Sequence, residues 1–351
     1  FLAESSSDDG GEISDPDELV GETVEAHGVT WKRGGRTVDP RKAKGHTDYP
    51  ASVIWKNTGD AKKPLEHFWS FFPEEVLSEM AVEMTKEGWT VCNFAQSWTV
   101  SIGDLLLFLG ILIYQACYPE PNRRRYWFAE EVQEEVNVVH DLGRYGISHR
   151  KFERLLQCFR LPEYPARPQE PLDLCFRVRK FLDTWNTHVS SRFNPSWCLV
   201  VDESMACWKG VGMPGLMYVA RKPTPLGREM HTTACADTRI ICFAERYEGK
   251  EVMAKADLVK DYSKSSAVAL RCSKPWWGSG RVVVLDSAFA SVLTAKSMFD
   301  RGLHSVGNVK TAHREFPLAV LKKEVTEREV TKTFTTVVKT RPTLCFDHSR
   351  E

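Results

Sequence analysis

The sequence has no Cys-x-x-Cys pair, no apolar run long enough to cross a bilayer and no net charge, and its first thirty residues hold no lysine or arginine. Each absence removes a class of protein. The ten cysteines are irregularly spaced, and Cys117, Cys158, Cys198 and Cys242 sit inside apolar runs, so they read as reduced core thiols of an intracellular protein. A zinc module or a disulfide framework is not expected. The most apolar segment, Leu105 to Cys117, falls short of the roughly 20 residues that a spanning helix needs and follows Asp104. It predicts a core helix, and no membrane partner. No signal peptide is visible, and the chain begins at Phe1 rather than Met, as a fragment of a longer protein would.

What is present is core-forming material and an uneven distribution of charge. With 351 residues, 42% of them hydrophobic, and 11 tryptophans, the chain is long enough for two domains around a sizeable core. Residues 1–30 hold nine acids, whereas residues 31–197 hold 23 basic against 21 acidic residues and residues 198–351 hold 24 against 17. Without its acidic start the body carries about +9, most of it in the second half. A basic body attracts phosphates, and an acidic tail can either compete for that surface or simply keep the chain soluble. The Ser/Asp/Gly-rich first thirty residues predict disorder. Residues 31–50 switch sign with Lys32, Arg33, Arg36, Arg41, Lys42 and Lys44, reading as a basic linker or a DNA-tracking arm. Order is expected to begin near Pro64, which sets the predicted divisions at 1–63, 64–197 and 198–351.

Residues 64–197 read as helical. Pro73 with Glu74 and Glu75 opens a helix whose apolar spacing runs through Val76, Met80 and Met84 to Gly88. Ser101 and Asp104 form a capping-box start for the Leu105–Cys117 helix. Ser148 precedes HRKFERLLQCFRL, and a long helix is expected from about Leu174 to Phe193, ended by Asn194-Pro195. Arg123, Arg124 and Arg125 lie between these helices, followed by Tyr126 and Trp127. The cluster reads either as a grip on a DNA backbone with an aromatic stacking nearby, or as a solvated helix start beside a core tryptophan.

From Cys198 the period changes. CLVVDES is a short apolar run rich in valine, the pattern of a buried strand, and it runs straight into Asp202 and Glu203. Shorter strands are expected over 216–221, 228–237 and 239–247, then a helix over 253–273, a second buried strand RVVVLD ending in Asp286, a helix from Val292 to Arg301 and a last strand over 304–310. Strands crossing over through helices in that order predict an α/β sheet of ribonuclease H-like pattern. In it the strands bearing Asp202 and Asp286 are neighbours, about 4.8 Å apart. Two carboxylates so placed suit a divalent metal site for phosphodiester chemistry, and magnesium suits all-oxygen ligands. The alternative is two structural acids that cap turns.

The stretches LLLFLGILIYQAC, KFERLLQCFRL, VVDESMACWKG with MYVARKPTPLG, and LDSAFASVLTAK with VGNVKTAHREFP resemble the transposase domain of the piggyBac family, over about Leu65 to Leu321. The resemblance implies cut-and-paste DNA transposition by three aspartates on a ribonuclease H-like core, with a two-metal Mg2+ site. It also implies nuclear localisation, transposon-end double-stranded DNA as partner, room for a homodimer, and no small-molecule substrate. By motif, Asp202 matches the first aspartate and Asp286 the second. Lys209, Arg221, Lys222 and Lys310 match basic positions that would hold phosphates, alongside Arg123, Arg124 and Arg125. The family's third aspartate lies beyond the stretch that TLCFDHSRE resembles, and Asp347 matches a position upstream of it. A C-terminal cysteine-rich zinc module is likewise absent. The chain is therefore expected to be an incomplete transposase core, or a transposase-derived protein that binds DNA or a partner without cutting.

Overall fold

In a computed structural model, the structure describes residues 23–32, 51–53, 63–128, 141–162, 175, 178–207, 216–310, 315–317, 333–338 and 341–347, the last two stretches by backbone alone. Most of the acidic tail and basic linker, and Lys209, lie outside these. The chain divides into two compact units, residues 54–192 and residues 1–53 with 193–351. The second break falls a few residues before the 197/198 division that the sequence suggests.

The first unit is helical among its described residues: α1 Pro64–Phe71, α2 Glu74–Thr90, α3 Ile102–Cys117, α4 His149–Gln157 and α5 Arg179–Arg192. The capping box forms, with Asp104 N–H donating to Ser101 Oγ and Ser101 N–H to Asp104 Oδ2, each at 3.1 Å. Ser148 Oγ caps α4 by accepting from Lys151 N–H at 3.2 Å. Helical spacing brings Leu77, Met80 and Met84 of α2, Leu105 and Phe108 of α3, and Phe152 and Leu155 of α4 into one buried cluster. The rings of Phe108 and Phe152 lie 5.2 Å apart at its centre. The helix expected from Leu174 is assigned from Arg179, with residues 174, 176 and 177 outside the described set.

The second unit is built on a mixed sheet. Before it, β1 (Thr23–Ala26) and β2 (Val29–Lys32) form a hairpin, and β3 (Ser52–Val53) pairs with β4 (Phe193–Asn194). The hairpin corrects the expectation that order begins near Pro64. Alternating residues flank His27 and Gly28, both at positive φ (45° and 82°), and β2 gains a partner in β11 (Thr333–Val338), which pairs in turn with β12 (Arg341–Asp347).

The main sheet contains β5 (Cys198–Cys207), β6 (Met217–Tyr218), β7 (Leu226–Cys235), β8 (Ile241–Arg246), β9 (Val282–Leu285) and β10 (His304–Gly307). Its order is β10-β9-β5-β7, with β6 and β8 both pairing with β7. β10, β9 and β5 are parallel, and β7 and β8 run antiparallel beyond them. Helix α6 (Lys250–Met253) and α7 (Lys264–Ser273) separate β8 from β9, and α8 (Val292–Asp300) separates β9 from β10. The helix expected over 253–273 is thus kept over Lys264–Ser273 as α7, with Met253 ending α6 and turns between them. Leu258 adopts φ 70°, and Ser263 caps a new start at α7 by accepting from Ser266 N–H at 3.2 Å. The strand expected over 216–221 shrinks to Met217–Tyr218, because Val219 turns the chain: Lys222 N–H donates to Val219 O at 3.0 Å.

Two features fix where β9 ends. Arg281 is 5% exposed, and its guanidinium donates to Asn194 Oδ1 (2.7 Å), Pro195 O (2.9 Å) and Ser196 O (2.9 Å), tying the start of β9 to the approach to β5. At the other end, a Cβ on Gly307 would lie 2.8 Å from Ala290 Cβ and 2.9 Å from Leu285 O. Only glycine lets β10 approach the loop that carries Asp286 this closely.

Candidate metal centre and nucleic-acid interface

The parallel register pairs Val201 of β5 with Leu285 of β9, so one further step brings Asp202 beside Asp286 at the margin of the sheet. Each aspartate is exposed and has one oxygen engaged locally: Glu203 N–H donates to Asp202 Oδ1, and Ala288 N–H to Asp286 Oδ1, both at 2.8 Å. One carboxylate oxygen from each of Asp202, Glu203 and Asp286 falls within 4.8 Å of the others.

Glu203 received no role from the sequence. Strand alternation sends adjacent residues to opposite faces, which along a regular ladder would set it apart from Asp202. Because β9 stops at Leu285, the Glu203 carboxylate shares the margin all the same. Its side chain is 9% exposed, with Oε1 held by Arg221 and, at 3.7 Å, by Lys222, while Oε2 is buried without a hydrogen-bond partner. The acidic pair in VVDES was the available signal.

The basic residues are placed unevenly. Arg221 is exposed, and its bond to Glu203 raises its pKa, with Asp286 and Glu229 adding to the effect. Lys222 Nζ donates to Glu203 O at 2.8 Å. Both therefore stand at the acid margin. Lys310 is exposed just past β10. Arg123, Arg124 and Arg125 belong to the helical unit, on a 3-10 turn spanning Arg123–Tyr126. Arg123 meets Glu153 at 3.1 Å, Arg125 meets Glu120 at 3.3 Å, and Arg124 lies over the Phe128 ring at 5.3 Å. Stacking of bases on Tyr126 or Trp127 is corrected, since both rings are core. Tyr126 Oη accepts from Glu120 N–H at 2.8 Å, and Trp127 Nε1 donates to Ile147 O at 2.9 Å.

Behind the margin lies a buried row of alternating charges. His231 of β7 sits opposite Glu203 in the register, with Nε2 3.0 Å from Glu229 and Nδ1 3.4 Å from Glu245 of β8. Arg271 of α7 donates to both Glu245 oxygens, at 2.6 and 2.8 Å. Burial favours neutral His231, but the two carboxylates outweigh it and raise its pKa to about 9. The bond to His231 lowers Glu229, whereas Glu245 is lowered by Arg271 and His231 against the effect of its burial. Arg221, His231, Tyr247, Val259, Val268 and Phe289 help line a cleft of about 320 Å³ beside this row.

The family described as Transposase IS4 matches residues 63–347. The chain belongs to this transposase family. Its fold also resembles the piggyBac transposase in a synaptic complex with hairpin DNA solved by cryo-electron microscopy, with a TM-score of 0.65 and 21% identity over 80% of this chain. The match spans 59% of that transposase chain. The piggyBac likeness seen in the sequence thus agrees with both comparisons, and the mixed α/β sheet is a fold the two chains share. Nine cysteines are described and all are free. No helix among the described residues is long and apolar enough to cross a membrane.

Proposed function

We propose that this transposase chain carries a metal-dependent centre for DNA phosphodiester hydrolysis and strand transfer, on a core of ribonuclease H-like type. The gathering of three carboxylates at one sheet margin carries the reading. The sheet order, with β9 and β10 parallel to β5 on one side and antiparallel strands on the other, supports the ribonuclease H-like assignment.

The residues fit a hard divalent ion. All three donors are carboxylate oxygens, each aspartate keeps one oxygen outside its local hydrogen bond, and Glu203 Oε2 is buried and unpartnered. Such a set suits magnesium, which prefers oxygen and binds through a few carboxylates plus substrate phosphates. Asp202 and Asp286 would hold the ion, with Glu203 the third donor available to it. Bound there, magnesium would supply Lewis-acid activation of the attacking oxygen and stabilisation of the leaving one.

The chain's own cations do the positioning. Arg221 and Lys222 stand beside the carboxylates and would hold phosphates flanking the scissile bond, with Lys209 and Lys310 as further phosphate contacts of the same unit; in the helical unit, Arg123, Arg124 and Arg125 are a separate candidate for backbone contact. Contacts of this kind fix register without reading bases. Double-stranded transposon ends are the proposed substrate. Homodimer formation and nuclear action follow from the family likeness.

Glu203 gives this margin a third carboxylate beside Asp202 and Asp286. Magnesium-dependent nicking of supercoiled plasmid tests the reading, comparing the chain with Asp202→Ala, Asp286→Ala and Glu203→Gln. Nicking should require magnesium and disappear in both alanine variants. Nicking that survives Asp202→Ala overturns the metal centre, and a wild-type chain that binds duplex without nicking it moves the function to DNA binding alone.

A further inference from the structure

We propose that His231 is a positioning residue for DNA: with Glu229 it holds the turn Val219–Lys222 so that Arg221 and Lys222 face an incoming phosphate. The inference rests on reading the acid margin as a DNA-processing site, and it adds a residue which that reading does not use.

His231 is 5% exposed and stands between two carboxylates, one at each ring nitrogen, so it is a buried cation bound on both sides. Glu245 is itself anchored by Arg271, whose Nη1 also donates to Asp257 O at 2.7 Å. The far end of the row is therefore fixed to α7 and the loop before it. At the near end, Glu229 lines the same cleft as Arg221 and Glu203, and Glu203 bonds Arg221 and Lys222 directly. Glu229 and Glu203 thus set two carboxylates of neighbouring strands beside the basic turn.

The ring also meets both sides of the margin. Its edge contacts Phe289, in the loop after Asp286, with centroids 6.1 Å apart and planes at 90°. Tyr247 meets it from another direction at 6.5 Å and 88°. Moving or neutralising this one side chain would release Glu229, leave Glu229 and Glu245 without the cation between them, and loosen the packing against Phe289.

Stability alone is a poor reason for such a row. Buried ion clusters are often no more stabilising than apolar residues of the same volume, whereas a satisfied polar network fixes geometry. A row that ends at the two side chains best placed to hold a phosphate fixes geometry where DNA binding needs it.

A double-mutant cycle separates positioning from general support. The probe is a fluorescein-labelled duplex of arbitrary sequence, followed by anisotropy in EDTA across a series of salt concentrations, so that binding is read without cleavage. His231→Gln should weaken binding about 10-fold, in the range typical of residues that orient a functional group, and lower the salt slope by about one. Replacing Arg221 and Lys222 together by Ala should weaken binding at least as much, and adding His231→Gln to that pair should weaken it no further. Unchanged affinity in His231→Gln, or a further loss when it is added to the pair, overturns the proposal. If His231→Gln does not fold, Glu229→Gln carries the same expectation, with a thermal melt to confirm folding. Duplex binding absent from the wild-type chain overturns both this inference and the function it rests on, whereas binding with independent effects overturns this inference alone.

Discussion

The two units handle charge in opposite ways. In the helical unit the buried cluster is aliphatic and aromatic, and the ion pairs lie outside it: Arg123–Glu153 has side chains 47% and 34% exposed, and Lys180–Glu79 35% and 46%. In the sheet unit, charged groups go inside. Arg281 is 5% exposed, His231 5%, Arg228 8% and Arg271 9%. Burying an ion is costly unless it is paired and hydrogen-bonded. The helical unit avoids that cost and holds together by packing. The sheet unit accepts it, with His231 and Arg271 behind the margin where Asp202, Glu203 and Asp286 meet and Arg281 at the other end of β9, so its buried charges fix geometry at both ends.

The largest effect should come from breaking the packing side of the contrast. Phe152 is fully buried and its ring lies 5.0 Å from that of Trp127 and 5.2 Å from that of Phe108. Phe152→Ala should destabilise the helical unit by about 3–5 kcal/mol through lost transfer energy and a residual cavity. Hydrogen exchange resolved by segment should show protection falling in α2, α3 and α4. Equal loss in β5, β7 and β9 would mean that the two units do not unfold separately.

The next effect lies on the charged side and depends on pH. The folded pKa of His231 is about 9, raised above its ordinary 6.5, so its contribution is fully present below 6.5 and is lost as pH rises through 9. The difference amounts to about 3 kcal/mol at about 1.36 kcal/mol per unit. Glu229 and Glu245 have lowered values, and their contributions are present above the ordinary carboxylate range and lost as pH falls through the folded ones. Protection of β7 and β8 should therefore fall between neutral pH and pH 10, with little change in α2 and α4. Replacing His231 by Gln should flatten that alkaline limb, and a limb that stays as steep would assign it to another group.

Much of this was legible in the sequence, and the failures have separate physical causes. Ser101 with Asp104, Ser148 and Pro73 marked their helices correctly, because capping is a local interaction within a few residues. CLVVD and RVVVLD marked neighbouring strands, because a continuous valine-rich run needs cover on both faces. The hairpin over 23–32 was missed because its partner, β11, lies some three hundred residues away. The 253–273 helix was overdrawn, because apolar spacing does not reveal that Leu258 takes a positive φ. Glu203 carries no role in the sequence reading, since alternation separates neighbours along a strand and loses its force only where the adjacent strand stops. Arg281 lies at the start of the apolar run RVVVLD, and nothing local announces that Asn194, Pro195 and Ser196 supply its acceptors.

Arg281 gives the third prediction. Arg281→Met keeps much of the apolar stem but leaves carbonyl groups of Pro195 and Ser196 without their donor. Leaving buried acceptors unsatisfied costs about 1–3 kcal/mol, so urea denaturation should show a loss of about 2 kcal/mol in the sheet unit. A neutral result would mean that the buried guanidinium is balanced by its own desolvation, which would weaken the argument that charge in this unit sets geometry.

The smallest effect on stability should come from Arg123→Ala, and it sharpens the contrast most. Its pair with Glu153 is solvent-exposed on both sides, and such pairs contribute about 0–1 kcal/mol. Its cation–π approach to the Phe152 ring, at 5.9 Å, adds little more from a half-exposed position. The melting temperature should hardly move. Affinity for a duplex of arbitrary sequence should nevertheless drop, and the dependence of log affinity on log salt should become shallower by about one if the guanidinium neutralises one phosphate. In the helical unit a charge would then matter to the ligand without mattering to the fold. A change in melting temperature without a change in salt slope would invert that, making Arg123 a structural residue and leaving Arg221 and Lys222 as the interface's better-supported cations.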